Sequence, residues 1–251
     1  MNHRTSATHF ALACCTAALI LGATACHAMA QPAPDAPAAP ATPVLTVDTL
    51  LDKMEVVRKD LRTFQADATK LRRVEILEET EKFTGTLQFK APRLLRMEMK
   101  SLENGKVTII IVGPELAWIY RPQEKQAEQV TLADLNDAKK SGNPLEYGLS
   151  RDIHGLKEGY VLKLLPAEKV GKYDTVPLEM TPTEDNAFAA GKVVFWIDTA
   201  SWLPVQVREW KSNGEIIETH TFTNVKVNEK ISDKVFEFDR PKGVDIIIHE
   251  K

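Results

Sequence analysis

The chain changes hydrophobic rhythm along its length, and the clearest rhythm lies in residues 83–99, FTGTLQFKAPRLLRMEM. Gly85, Leu87 and Phe89 fall on one side of a period-two pattern, with Thr84, Thr86, Gln88 and Lys90 on the other. Ala91-Pro92-Arg93 then makes a break that a central strand does not contain. Alternation resumes with Leu95, Met97 and Met99 against Arg96, Glu98 and Lys100. The pattern predicts an antiparallel hairpin with one apolar face and one wet, charged face. Function turns on what covers the apolar face, a core or a bound passenger.

Residues 47–62 carry helical spacing instead. Leu50, Leu51, Met54, Val57 and Leu61 form one stripe, with Asp48 or Thr49 as the cap. From Thr63 the period returns to two. Residues 64–79 are predicted as one long strand or a hairpin, and strands follow through the 83–99 hairpin and over 106–112, 117–120, 126–132, 160–165, 178–181, 193–198, 204–210, 215–225 and 236–238. Asn213-Gly214 is a hairpin signal between two of them. Residues 78–81, EETE, read as a solvated turn. The stretch between Thr131 and Lys157 breaks the rhythm. Leu132, Leu135 and Ala138 have helical spacing, and Asn143-Pro144 can open a second short helix that carries Leu145 and Leu149 on one face. A helix, a long antiparallel meander and a helical interruption make a mainly β, α+β chain. Such a meander must curl or close to hide its apolar side.

The ends change the picture. Residues 10–25 are an apolar run of signal-peptide length, too short for a membrane span of about twenty residues. Ala28-Met29-Ala30 is a small-x-small cleavage site, which places the cut before Gln31. A lipoprotein signal, with Cys26 as the acylated first residue, is the competing reading. All three cysteines lie in this leader, so a chain cut after Ala30 carries no disulfide, thiolate metal site or thiol nucleophile. The organisation expected is a signal peptide at 1–30, a Pro/Ala-rich linker at 31–43 and one folded domain at 44–251, exported to the periplasm.

Charge and motifs then remove function classes. The net charge of −3, without a basic run interleaved with aromatics, points away from nucleic acid. His154, His220 and His249 stand far apart in sequence, without metal-ligand spacing. No nucleophile elbow, phosphate loop or dinucleotide fingerprint is present. No enzyme, metal or cofactor is expected. What remains is large or flexible apolar residues on strands: Met97, Met99, Trp118, Tyr120, Phe195, Trp196, Trp202 and Trp210. These read either as a solid core or as the wall of a ligand cavity, a role to which methionine is suited.

Three stretches resemble the periplasmic outer-membrane lipoprotein carriers, the LolA/LolB-like family. Residues 87–97, LQFKAPRLLRM, are similar to the family's strand, Lys-x-Pro turn and strand. Trp118-Ile119-Tyr120-Arg121-Pro122 is similar to its Trp-aromatic-Tyr-x-Pro, and residues 235–244, VFEFDRPKGV, to its terminal Phe-x-Phe-x-x-Pro-x-Gly-Val. The resemblance runs from about Asp48 to the end. It implies an unclosed antiparallel half-barrel with short helices covering the concave face. The acyl chains of a lipoprotein, or another lipid cargo, would lie in the apolar cavity between them. Cavity residues implied are Leu87, Phe89, Leu95, Met97, Met99, Trp118, Tyr120, Leu145, Leu149 and Phe195. Implied partners are an inner-membrane releasing complex and an outer-membrane acceptor, and the carrier is expected to be a monomer. Two alternatives on the same fold are a membrane-anchored LolB-like acceptor and an RseB-like envelope-stress sensor. One departure stands out. The carriers usually place an Arg before the turn Pro as a latch for the lid; Ala91 occupies that place, leaving Arg93, Arg96, Arg72 and Arg73 as substitutes.

Overall fold

The computed structural model describes residues 45–131, 149, 153–183, 190–211 and 216–248. Helix α1 (Val47–Asp60) opens the fold. Its cap is Thr46, two residues before Asp48 and three before Thr49, in a capping box with Thr49: the Thr49 N–H donates to Thr46 Oγ1 at 3.2 Å, and the Thr46 N–H to Thr49 Oγ1 at 2.8 Å. Asp48 in the first turn and Arg58 and Lys59 in the last complement the helix dipole.

Strands β1 (Thr63–Val74), β2 (Glu79–Lys90), β3 (Leu94–Ser101), β4 (Val107–Val112), β5 (Leu116–Arg121) and β6 (Gln126–Thr131) follow as an antiparallel meander. A short helix, α2 (Leu156–Gly159), precedes β7 (Tyr160–Leu164), β8 (Glu168–Val170), β9 (Tyr173–Pro182), β10 (Ala190–Asp198), β11 (Pro204–Lys211), β12 (Ile216–Val227) and β13 (Asp245–Ile248). All belong to one sheet, ordered β13-β6-β5-β4-β3-β2-β1-β12-β11-β10-β9-β7, with β8 on β9. The two ends of that path, β13 and β7, do not pair, so the sheet is an unclosed half-barrel. No described helix is long and apolar enough to cross a membrane.

The hairpin at β2–β3 forms as its alternation predicts, with Leu87 opposite Met97 and Phe89 opposite Leu95. Only glycine fits at position 85. A Cβ there would lie 1.7 Å from the carbonyl oxygen of Glu98 across the strand pair. The tip between β11 and β12 lies outside the described residues, but Trp210 opposite Ile217 establishes their antiparallel pairing. The helices expected over 132–148 also fall outside them; Leu149 is helical.

Two readings need correction. Glu79 and Glu81 are not turn residues but the first part of β2, and Glu81 is paired with Arg72. The strand expected at 236–238 is absent: Asp233–Phe236 is a 3-10 helix, and the last strand is β13. A Phe-x-Phe repeat has the period of a strand, but here those rings serve a strap that crosses β2 to β5. Lys90 holds it through an ion pair with Asp233, and Arg96 Nη1 donates to the Val235 carbonyl at 3.5 Å. The strap lets β13 reach β6 in parallel, the one exception to the antiparallel order.

Candidate functional site

Strand pairing fixes which side chains share a face. Leu87, Phe89, Leu95, Met97 and Met99 lie on the inner side of the half-barrel and are buried. Across β1 and β12 the same face continues through Phe64, Ala66, Ala68 and Phe222, and on through Val207, Phe195 and Leu178. The stripe of α1 lies on it, with Leu50, Leu51 and Met54 fully or almost fully buried. Leu149, Ile153 and Leu156 close the same apolar cluster from the α2 side. The face is therefore shut, and a helix does the shutting.

Of the residues expected to line the cavity, Leu87, Phe89, Leu95, Met97, Met99, Leu149 and Phe195 join this cluster. Leu145 lies outside the described residues. Trp118 and Tyr120 do not join it, and here the expectation is corrected. Their neighbour Ala117 pairs with the inward Val112, so Trp118 and Tyr120 point to the opposite side of the sheet. There they pack under the strap: Trp118 stacks on Phe238 with centroids 4.6 Å apart, and Tyr120 sits 5.4 Å from the same ring.

Sequence reasoning missed an opening beside the closed helix. A cleft of about 480 Å³ runs between the last turns of α1 and the ends of β10 to β12. Val56, Val57, Leu61, Leu203, Val225 and Val227 give it apolar walls, while Asp60, Lys172, Ser201 and Asn228 supply polar groups. Leu61 and Leu203 also belong to the buried cluster, so the cleft reaches the covered face. Its volume falls in the range of about 300–1,000 Å³ usual for ligand sites. Only the apolar stripe of α1 hinted at it, because the other wall comes from strands far away in sequence.

Polar contacts add to the buried stripe in holding α1 down, most of them near its two ends. Near the N-terminus Asp48 is ion-paired with Lys157, and His154 Nε2 lies 3.4 Å from Asp52 Oδ1. The hydrogen bond and charge of Lys157 hold the Asp48 carboxyl below its ordinary value of 3.8, with a smaller contribution from His154. Beyond the C-terminus Asn228 binds the backbone at Asp60 and Arg62, and midway the Lys53 ammonium sits 4.5 Å from the Trp202 ring centroid. Three of the four arginines named as substitutes for the missing latch are engaged elsewhere: Arg72 with Glu81 and Glu218, Arg73 with Glu75, Arg96 with Glu98 and the strap. Among the described residues no cluster of His, Cys, Asp or Glu is arranged to hold a metal.

The chain is similar in sequence to known proteins. An outer-membrane lipoprotein carrier protein from Hahella chejuensis is 30% identical over 198 residues, 78% of this chain and 87% of its own. The profile of the MucB/RseB N-terminal domain matches residues 118–238. Among solved structures, the Mycobacterium tuberculosis lipoprotein LppX is 14% identical, with a TM-score of 0.47, over 74% of this chain and 99% of its own. A LolA-superfamily protein from Nitrosomonas europaea is 13% identical, with a TM-score of 0.41, over 77% and 98%.

Proposed function

The chain belongs to the family of outer-membrane lipoprotein carrier proteins, and from that premise we propose that it carries acylated cargo across the periplasm. The acyl chains lie between α1 and the inner face of the sheet, and an outer-membrane acceptor receives them. The observation that carries this reading is the apolar cleft beside α1, which leads to a buried apolar face that α1 covers. Each buried methylene is worth about 0.8 kcal/mol, so a long acyl chain does not cross water uncovered. Such a cover yields to a ligand that binds the uncovered state better. The reading includes no enzymatic step and no cofactor, and a monomer suffices for it.

The test is binding of a fluorescently labelled fatty acid to the mature domain. Val56 and Val227 are 64% and 44% exposed, so charging them leaves the core intact. Val56→Glu and Val227→Glu should each lower affinity by about tenfold, because a carboxylate then meets the alkyl chain. Unaltered affinity in both would sink the assignment of the cleft. Leu95→Glu and Met97→Glu probe the inner face itself, with circular dichroism to separate lost binding from lost folding.

A second reading has its own observation. The match of residues 118–238 to the MucB/RseB N-terminal domain favours the alternative of an RseB-like envelope-stress sensor or regulatory domain. Mass spectrometry of the mature N-terminus separates a third form, the anchored acceptor. Gln31 as first residue fits a free carrier, and diacylated Cys26 fits the acceptor.

A further inference from the structure

The inner face does not stay apolar along its whole length. On β1 the inward positions continue past Ala68 to Lys70 and Arg72. Lys70 stands opposite Phe83 and His220, and Arg72 opposite Glu81 and Glu218. Glu218 in turn stands opposite Glu209, and His220 opposite Val207. Because directly opposed residues share a face, Lys70, Arg72, Glu81, Glu209, Glu218 and His220 all project to the side that α1 covers further along. The β11–β12 side of the cluster is mostly buried, with Glu209 6% exposed and the side chains of His220 and Glu218 12% and 19% exposed, while Arg72 and Glu81 at 32% and 38% reach solvent.

Charges placed there are costly unless paired, and the cluster pairs its own. Arg72 Nη1 lies 2.7 Å from Glu81, Arg72 Nε 3.6 Å from Glu218, and Lys70 Nζ 4.0 Å from Glu218. The Lys70 ammonium also lies 4.4 Å from the Phe83 ring centroid. One atom is left over. His220 Nδ1 is buried without a hydrogen-bond partner, which ordinarily costs about 1–3 kcal/mol. Its other nitrogen, Nε2, lies 3.9 Å from the Glu218 carboxylate. In the neutral tautomer that turns an Nε2–H toward that carboxylate, Nδ1 is an acceptor that lacks a donor.

We infer that this end of the trough is a polar subsite for an uncharged, hydroxyl-bearing head of an amphiphile whose alkyl chain lies along the apolar part under α1. The inference rests on the acyl-binding reading above and adds a head-group preference to it. An anionic or cationic head would have to break one of the Arg72 or Lys70 pairs, whereas a hydroxyl needs only the acceptor already waiting. Phe83, Phe222 and Val207 flank the cluster, so chain and head can be accommodated on one continuous surface.

The experiment displaces a fluorescently labelled fatty acid from the mature domain with three competitors of equal chain length. These are a monoacylglycerol, the corresponding fatty-acid methyl ester and a lysophosphatidic acid. The wild type should prefer the monoacylglycerol over the methyl ester by about tenfold, the effect of satisfying one buried acceptor. His220→Phe should bring monoacylglycerol affinity down to the methyl-ester level, and His220→Gln, which keeps an acceptor, should restore part of the preference. Thermal melts of both variants check that the fold survives. A preference that persists in His220→Phe overturns the inference, as does an equal or stronger preference for the phosphate head. Those outcomes leave chain binding intact. Failure of the wild type to bind any of the alkyl ligands overturns the acyl-binding reading and this one with it.

Discussion

The side-chain amide of Asn228 donates from Nδ2 to the carbonyl oxygen of Asp60, 3.1 Å away and at the last residue of α1. Its Oδ1 accepts the backbone N–H of Arg62 at 2.7 Å. One residue just past the end of β12 thus ties off the helix at its last residue. Asn228 has a φ of +59°, which asparagine tolerates better than most residues.

Asn228→Ala should therefore lose both bonds and strain the backbone, lowering stability by about 1–3 kcal/mol. Asn228→Gly keeps the backbone relaxed and loses only the amide. Both should speed amide hydrogen exchange in α1, with the alanine variant melting at the lower temperature. Unchanged protection of α1 in the glycine variant would show that the helix is held elsewhere.

The inner wall was legible in the sequence because one-sided burial writes itself as alternation. Leu87, Phe89, Leu95, Met97 and Met99 could be placed together from spacing alone. Trp118 and Tyr120 could not. Strand β4 reads Val-Thr-Ile-Ile-Ile-Val, and Ile111 is buried on the strap side while Val112 is buried on the inner side. Where both faces are covered, only the pairing register tells inside from outside. The charged row at Lys70 and Arg72 was hidden for the opposite reason. It follows the inward period, but polar residues on a strand read locally as a wet face. The cleft beside α1 and the parallel β13 depend on contacts between distant segments, which no local window contains.

The placement of Trp118 has its own consequence. Its stacking on Phe238 belongs to the strap, and pairs of this kind contribute about 0.5–1.5 kcal/mol beyond the area they cover. Phe238→Ala should lower the melting temperature and expose the Trp118 ring, visible as a red shift in its fluorescence. Affinity for the labelled fatty acid should not change, since the strap lies on the far side of the sheet. A large loss of affinity would return Trp118 and Tyr120 to the ligand.

Gly85 marks a place where β2 and β3 approach so closely that a methyl group has no room. Glu98 C and Met99 Cα would also lie only 2.7 and 3.0 Å from its Cβ. All of these atoms are backbone and cannot step aside as a flexible side chain does. Gly85→Ala should cost about 1–3 kcal/mol or more, measured by urea denaturation. An alanine variant as stable as the wild type would mean that the hairpin can spread at no cost.

Asp48 and Lys157 tie the other end of α1, and their pair is solvent-exposed, so it should respond to salt and acid. Lys157 holds the Asp48 carboxyl below 3.8, its ordinary value. A carboxyl lowered in the folded state contributes stability that is present above its unfolded pKa and is lost as pH falls through the folded one. The tie should therefore last from neutral pH down to the ordinary aspartate value of 3.8 and fail only below it. Uptake of the labelled fatty acid should be faster in Asp48→Asn and in Lys157→Gln than in the wild type. The lysine variant matters because Asp48→Asn also removes a favourable charge from the first turn of the helix. The difference from wild type should hold constant down to that pH, vanish below it, and shrink in high salt. A difference that is unchanged well below that pH would show that this pair is not the tie that governs entry.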